Sequence, residues 1–204
     1  TNDLSFLCIQ ASMHTQLPAP SFSVRIWNGT PNEFLIKCAE LTRTGVGLPA
    51  YYNDEVIIPA LMSRGVTLAD AREYGIIGCV EPQKPFKTDG WHDAAFFNMC
   101  RPLELVFSNG VDKGAQISIK TGNVEDMTTF EEFYNAYKAQ ETYMIGLMVN
   151  AINAIDTAHS ERVPLPFLSC MVEDCVKEGK TVQEGGAHYN FTGPQGFGIA
   201  NMAD

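Results

Sequence analysis

The chain has 204 residues and an ordinary hydrophobic share of 45%, enough for a sizeable core in one or two domains. Fourteen basic residues against 24 acidic ones leave a net charge of −10, which argues against nucleic acid and against an anionic membrane surface as partners. The acidic residues are dispersed, as on a solvated surface, and no run of about 20 apolar residues is present to form a transmembrane helix.

Thr1 is not a start methionine, the first Met is Met13, and no basic-then-apolar leader precedes it. The expectation is a chain that begins and ends inside a longer reading frame. The six cysteines (Cys8, Cys38, Cys79, Cys100, Cys170, Cys175) form no CxxC pair, and the four histidines (His14, His92, His159, His188) are not at zinc spacing with them. No bound metal is expected. Unpatterned cysteines and eight methionines fit a reducing cytoplasm.

In chain order, Leu4 to Met13 is apolar and helical in pattern, and Leu17-Pro18-Ala19-Pro20 ends it. Ser21 to Trp27 alternates in hydropathy as a strand does. Thr30 is placed to cap a helix with Pro31 at its first position, Phe34, Leu35, Cys38 and Leu41 on its buried face, and Gly45 beyond its end. Asn53 is a cap for a helix reaching Arg64. Pro59 lies within that span, so a start at Pro59 stays open. Thr67-Leu68-Ala69-Asp70 begins a short helix ending at Tyr74. Ala94 to Phe107 reads as a helix kinked at Pro102. Asn109 to Asn123 reads as a connection, with a short strand at Gln116 to Lys120. Thr128 and Thr129, with Glu131 and Glu132 three residues on, form capping boxes for a long helix to about Ala158. Its Phe130, Phe133, Tyr137, Met144, Leu147 and Met148 are packing positions. Pro166 starts a helix ending at Gly179, with Cys170 and Cys175 in its core, as Cys38 is in its own helix. A short strand follows at Ala187 to Phe191. The glycine-rich run Gly193-Pro194-Gln195-Gly196-Phe197-Gly198 fits neither the dinucleotide nor the P-loop pattern and reads as a tight structural loop. The alternation of helix and strand predicts an α/β fold.

Gly75-Ile76-Ile77-Gly78-Cys79-Val80-Glu81-Pro82-Gln83 is the stretch with chemical content. Ile76 and Ile77 read as the end of a buried strand. Gly78 permits a bend and Pro82 stops a regular element, which leaves Cys79 at a loop tip. In an extended chain, Glu81 faces the same way as Cys79. A lone Cys after an apolar run is ordinarily a small buried hydrophobe. Here the loop also holds an ionisable Glu, is flanked by Gly and Pro, and is followed by the polar cluster Trp91-His92-Asp93. For a nucleophilic Cys the partner on offer is His92, and nothing in the sequence sets it against Cys79.

Gly78-Cys79-Val80-Glu81-Pro82-Gln83, followed by Gly90-Trp91-His92-Asp93-Ala94-Ala95-Phe96-Phe97-Asn98, resembles the cysteine loop of glycyl radical enzymes, the pyruvate formate-lyase-like family. Within that family the match is nearest to the B12-independent glycerol and 1,2-propanediol dehydratases. Gly185-Gly186-Ala187-His188-Tyr189-Asn190-Phe191-Thr192-Gly193-Pro194-Gln195-Gly196, Ser23-Val24-Arg25-Ile26 and Leu48-Pro49-Ala50-Tyr51-Tyr52-Asn53-Asp54-Glu55 are similar too. The resemblance spans the whole chain, residues 1–204. It implies part of a barrel of two half-sheets wrapped by helices, with the cysteine loop inside. Family members are several times longer, so the chain is expected to be an internal segment of the pyruvate formate-lyase-like domain without the C-terminal glycine radical domain.

The resemblance also implies roles. A glycyl radical, installed elsewhere in the protein by a radical-SAM activating enzyme, takes hydrogen from Cys79, and the thiyl form of Cys79 takes hydrogen from a small diol. Glu81 matches the carboxylate base, and Asp93 the carboxylate that binds substrate hydroxyls; as a residue alone, Asp93 also reads as the N-cap of a helix from Ala94. No other cofactor is implied. Family members are commonly dimers, and the setting is cytoplasmic, with a bacterial microcompartment as one version of it. Pyruvate formate-lyase carries two adjacent cysteines, whereas Gly78 precedes Cys79 here, which disfavours formate chemistry. The glycyl radical motif has no match, since Arg162-Val163 runs into Pro164-Leu165; the chain alone is therefore expected to be inactive. The alternatives are a relative acting on another substrate (an amino alcohol, a sulfonate or an aryl acetate), a non-catalytic orphan of the family, and a Cys–His hydrolase.

Overall fold

The computed structural model describes residues 1–203 and divides the chain into two compact units, Thr1–Thr88 and the residues from Asp89 onward. In the first unit, α1 (Asp3–Thr15) packs on α2 (Asn32–Arg43). Between them runs β1 (Ser23–Ile26), which pairs in parallel with β2 (Ala50–Asn53). The crossover through α2 is what a parallel pair requires. Ile9, Val24, Phe34, Cys38, Leu41 and Leu48 form the core of this layer, and Phe6 meets Phe34 edge-on at 5.6 Å. Leu35, expected in the core, is only half-buried. Thr30 does not cap α2: Pro31 holds the cap position, and the Thr30 hydroxyl accepts the Trp27 N–H at 2.9 Å.

α3 (Asp54–Ser63) starts at Asn53, whose side chain accepts the Glu55 N–H at 3.0 Å; Pro59 lies inside it. α4 (Leu68–Arg72) is capped by Thr67. β3 (Gly75–Ile77) and β4 (Glu81–Gln83) then form an antiparallel hairpin.

The second unit carries β5 (Thr88–Asn98), whose first residue ends unit one, and α5 (Cys100–Phe107). The helix expected from Ala94 is a strand as far as Asn98. The run Ala94-Ala95-Phe96-Phe97 has neither a two-residue nor a 3.6-residue period, and its continuity with α5 hid the break. Pro102 is the third residue of α5, in the first turn where no N–H is needed, so it calls for no kink. β6 (Val111–Asp112) and β7 (Ala115–Gln116) make a small hairpin. The strand expected at Gln116 to Lys120 stops at Gln116. Buried Gln140 takes up the segment beyond: its side-chain carbonyl accepts the Ser118 hydroxyl, and its amide donates to the Ile119 carbonyl (2.8 Å) and Thr121 Oγ1 (3.2 Å). Those polar groups are thus satisfied without a ladder.

Gln140 belongs to α6 (Phe130–Arg162), 33 residues long, with the Thr129–Glu132 capping box at its start. Glu132 also accepts the Thr128 N–H at 2.8 Å, so a single acid serves both threonines. Ala136 and Tyr137 pack with Val106 of α5, while Phe130 and Leu147, expected to pack, are exposed. The helix expected from Pro166 to Gly179 is two short ones, α7 (Pro166–Ser169) and α8 (Cys175–Glu178). They are separated by a turn over residues 170–174, and Asp174 at its end has a left-handed φ of 74°. Cys175 is buried but Cys170 is exposed, contrary to expectation. β8 (Tyr189–Phe197) pairs with β5 and swallows the glycine-rich run read as a loop; Pro194 is tolerated because each strand of a two-stranded pair is an edge. α9 (Ile199–Ala203) closes the described chain.

Among the described residues the fold is thus a mixed helix and strand arrangement with four two-stranded pairs. No barrel is closed among the described residues. No described helix is long and apolar enough to cross a membrane.

Candidate active site

In the first unit, the hairpin register sets Gly75 opposite Gln83, Ile76 opposite Pro82 and Ile77 opposite Glu81. Gly78, Cys79 and Val80 are left as a three-residue tip. Pro82 therefore sits within a strand rather than ending one, and Ile77 is exposed rather than buried. Cys79 is exposed at the tip, as its place in the sequence suggested.

Glu81 does not run parallel to Cys79 as an extended chain would have it. Glu81 as a residue is 7% exposed, and its side chain folds back over the tip. Oε2 accepts the N–H of Cys79 and that of Val80, both at 2.9 Å. Bonds from backbone N–H to a carboxylate are charge-assisted, and together they fix the acid against the thiol-bearing residue. Gly78 allows this in two ways. Its φ of 60° is left-handed, and a Cβ there would lie 2.8 Å from Glu81 Oε2. A second cysteine at position 78 would collide with the folded-back carboxylate.

Neighbouring strands hold the hairpin. Arg25 on β1 and Tyr52 on β2 are register partners and so share a face of the pair. Arg25 makes a bidentate ion pair with Asp54, at 2.8 Å for each arm. It also donates to the carbonyls of Tyr74 (3.1 Å) and Arg72 (3.0 Å) and lies 3.9 Å over the Tyr74 ring. Tyr74 donates to Asp54 at 2.7 Å. Burial raises the Asp54 carboxyl, but the hydrogen bonds from Arg25 and Tyr74 outweigh it and hold Asp54 below its usual range. Tyr74 immediately precedes β3, so this cluster fixes the hairpin's base. Lys84 and Glu73 pair across its open end at 2.6 Å. At the tip, the Tyr52 hydroxyl donates to the Cys79 carbonyl at 2.6 Å. Tyr52 and Arg25 were missed as site supports in the sequence. Their signal was the register of β1 with β2, which no local pattern reports.

In the second unit, Asp93 is exposed in the middle of β5 and accepts a hydrogen bond from the Gln195 amide of β8. It is not a helix cap: α5 starts seven residues later, with the Asn98 side chain accepting the Cys100 N–H at 3.0 Å. His92 is half-buried on the same strand, and its ring occupies the space a Cβ at Gly90 would need. Trp91 meets His159 of α6 edge-on at 5.1 Å. Asp89, overlooked in the sequence, is pushed up first by burial and then by the charge of Asp156.

His188 pairs with Asp174 at 2.6 Å. With Glu173 they bring three ligand-type atoms within 4.8 Å of one another. Lys177, 3.6 Å from Asp174, completes a surface ion-pair group, and the His188 hydrogen bond is the main reason Asp174 is held low. We read this group as structural.

The profile of the family described as "Pyruvate formate lyase-like" matches residues 1–204. A solved structure concerned with 1,2-propanediol dehydration in Roseburia inulinivorans is 68% identical and superposes with a TM-score of 0.92 over all of this chain and 26% of that one. The glycerol-bound B12-independent glycerol dehydratase from Clostridium butyricum is 63% identical, with a TM-score of 0.91, over 98% of this chain and 26% of that one. The (2S)-3-sulfopropanediol dehydratase of Klebsiella oxytoca is 39% identical over the whole chain and 25% of its own length. The chain thus spans about a quarter of the length of these relatives. The match over every residue, and the fold shared with these structures, establish that the chain belongs to the pyruvate formate lyase-like family, the glycyl radical enzymes.

Proposed function

We propose that this chain is the cysteine-loop segment of a larger glycyl radical dehydratase that converts a small vicinal diol, glycerol or 1,2-propanediol, to an aldehyde and water. The observation that carries the reading is the hairpin tip: an exposed Cys79 whose N–H is bound by the buried carboxylate of Glu81. The carboxylate is thereby held against the main chain of the thiol-bearing residue, which supports a reading in which the two groups serve one substrate. Identity of 63–68% to the propanediol and glycerol structures, against 39% to the sulfopropanediol enzyme, favours an uncharged diol over a sulfonate.

In this reading, a glycyl radical outside the chain, installed by a radical-SAM enzyme, supplies the oxidising equivalent. Cys79 in its thiyl form takes a hydrogen atom from the hydroxyl-bearing carbon, and Glu81 takes the proton of that carbon's hydroxyl. The neighbouring hydroxyl leaves with a proton as water. Cys79 then returns its hydrogen atom, giving the aldehyde. Asp93 holds substrate hydroxyls, a homodimer is the working assembly, and the setting is cytoplasmic.

The test is Cys79→Ser in the full-length protein, activated anaerobically. The glycyl signal in paramagnetic resonance should form, and aldehyde production should be abolished. Residues 1–204 alone, incubated with the activating enzyme, S-adenosylmethionine, reductant and diol, should also give none. Turnover of the serine variant near the parent level would sink the assignment.

A further inference from the structure

Resting on that reading of Cys79, we propose that Tyr52 is a positioning residue for the reaction: its hydroxyl, donating to the Cys79 carbonyl, fixes where the Cys79 sulfur meets the substrate. The bond is 2.6 Å long, and Tyr52 is 7% exposed, so the phenol is anchored by packing while its oxygen reaches an exposed tip. A three-residue hairpin tip has little to define its place besides its own turn. Here it is tied on both sides of one residue: the Cys79 N–H by Glu81 and the Cys79 carbonyl by Tyr52.

The placement is built into the strand pair. Tyr52 stands opposite Arg25 in register. Arg25 grips the carbonyls of Arg72 and Tyr74 just before the hairpin. Two neighbours on one face therefore hold the hairpin's base and its tip. The donor role needs a neutral phenol. Burial first, then the charge of Glu81, push the Tyr52 hydroxyl up, so it keeps its proton through the neutral range.

The experiment uses the full-length protein, activated anaerobically, with rates normalised to the glycyl signal. Tyr52→Phe removes one oxygen and leaves the ring. We expect kcat per radical to fall roughly tenfold with KM within about twofold, because the sulfur is held less accurately while substrate binding is untouched. The deuterium isotope effect on kcat should rise, since hydrogen abstraction is the step made slower. A purely structural role would lower Tm and radical yield but leave kcat per radical and the isotope effect at parent values, which overturns the proposal. If the Phe variant does not fold, 3,5-difluorotyrosine at position 52 carries the test. It keeps the hydroxyl but makes it more acidic, so its rate should fall as pH rises and the donor is lost, over a range where the parent stays flat; a flat profile overturns the proposal. Cys79→Ser in parallel separates the two claims. Turnover in that variant defeats the reading of Cys79 itself. A dead serine variant beside a parent-like Phe variant defeats only the role of Tyr52.

Discussion

The β3–β4 hairpin and the β5–β8 pair each carry a candidate functional side chain, and they hold it differently. At the hairpin, the peptide groups of Cys79 are bound by two buried side chains, Glu81 and Tyr52. On β5, Asp93 is exposed and held through its own carboxylate by the Gln195 amide. Glycines serve different ends as well. Gly78 makes room for a carboxylate, whereas Gly193 lets β8 approach the backbone of His92, where a Cβ would come within 2.8 Å of the carbonyl. Under the proposed roles, the residue that would present one atom in one place is fixed through its backbone, and the residue that would recognise hydroxyl groups is presented by a strand and steadied at its tip.

The contrast breaks first at Glu81. In the full-length protein, Glu81→Gln keeps a carbonyl to accept the two N–H groups but cannot take up a proton. Turnover should fall roughly 10²-fold or more with Tm near that of the parent. Loss of stability with unchanged turnover per folded protein would make Glu81 a structural acid like many others.

Gly78→Ala should come next. The left-handed φ alone costs about 1–2 kcal/mol for an L-residue, and the added Cβ would press on Glu81. Gly65→Ala is the control, because φ there is +91° with nothing within 4 Å of a Cβ. Gly78→Ala should lower Tm further than the control and also slow turnover. Equal Tm shifts with unchanged turnover would show that the close approach to the carboxylate is not a constraint.

Asp93→Asn should have the smallest effect: a rise in KM of about fivefold, the size of one weakened hydrogen bond, with stability unchanged. A fall in kcat as large as that for Glu81→Gln would move Asp93 from recognition into the chemistry and erase the distinction between the two regions.

Legibility in the sequence followed the range of the forces involved. Cys79 at a tip, Glu81 beside it, Asn53 and Thr129 as caps, and the helices they start were all visible, because each depends on residues within a turn or two. Pro82 misled, since a proline breaks a ladder only where its missing N–H faces a partner, and which side of a strand is paired is decided far away in sequence. The β5–α5 boundary was lost because Ala94 to Phe97 has no period of its own, and Asn98, whose side chain accepts the Cys100 N–H at the start of α5, read as part of one continuous helix. The turn over residues 170–174, with Asp174 in the left-handed region, split a helix that its neighbours' propensities favoured. Tyr52 lies on β2, a strand the sequence reading did not foresee, and only pairing with β1 sets it beside Arg25.

One consequence of the doubly tied tip concerns travel. With its N–H and carbonyl both engaged, the main chain of Cys79 is pinned, and the sulfur has a single soft coordinate, rotation about Cα–Cβ. It swings on an arc of fixed radius with stops at staggered wells roughly 120° apart. In the proposed reaction, a hydrogen atom received at one stop and delivered at another would need no movement of the loop. The tip is a swivel, and its bearings are a tyrosine hydroxyl and a glutamate oxygen.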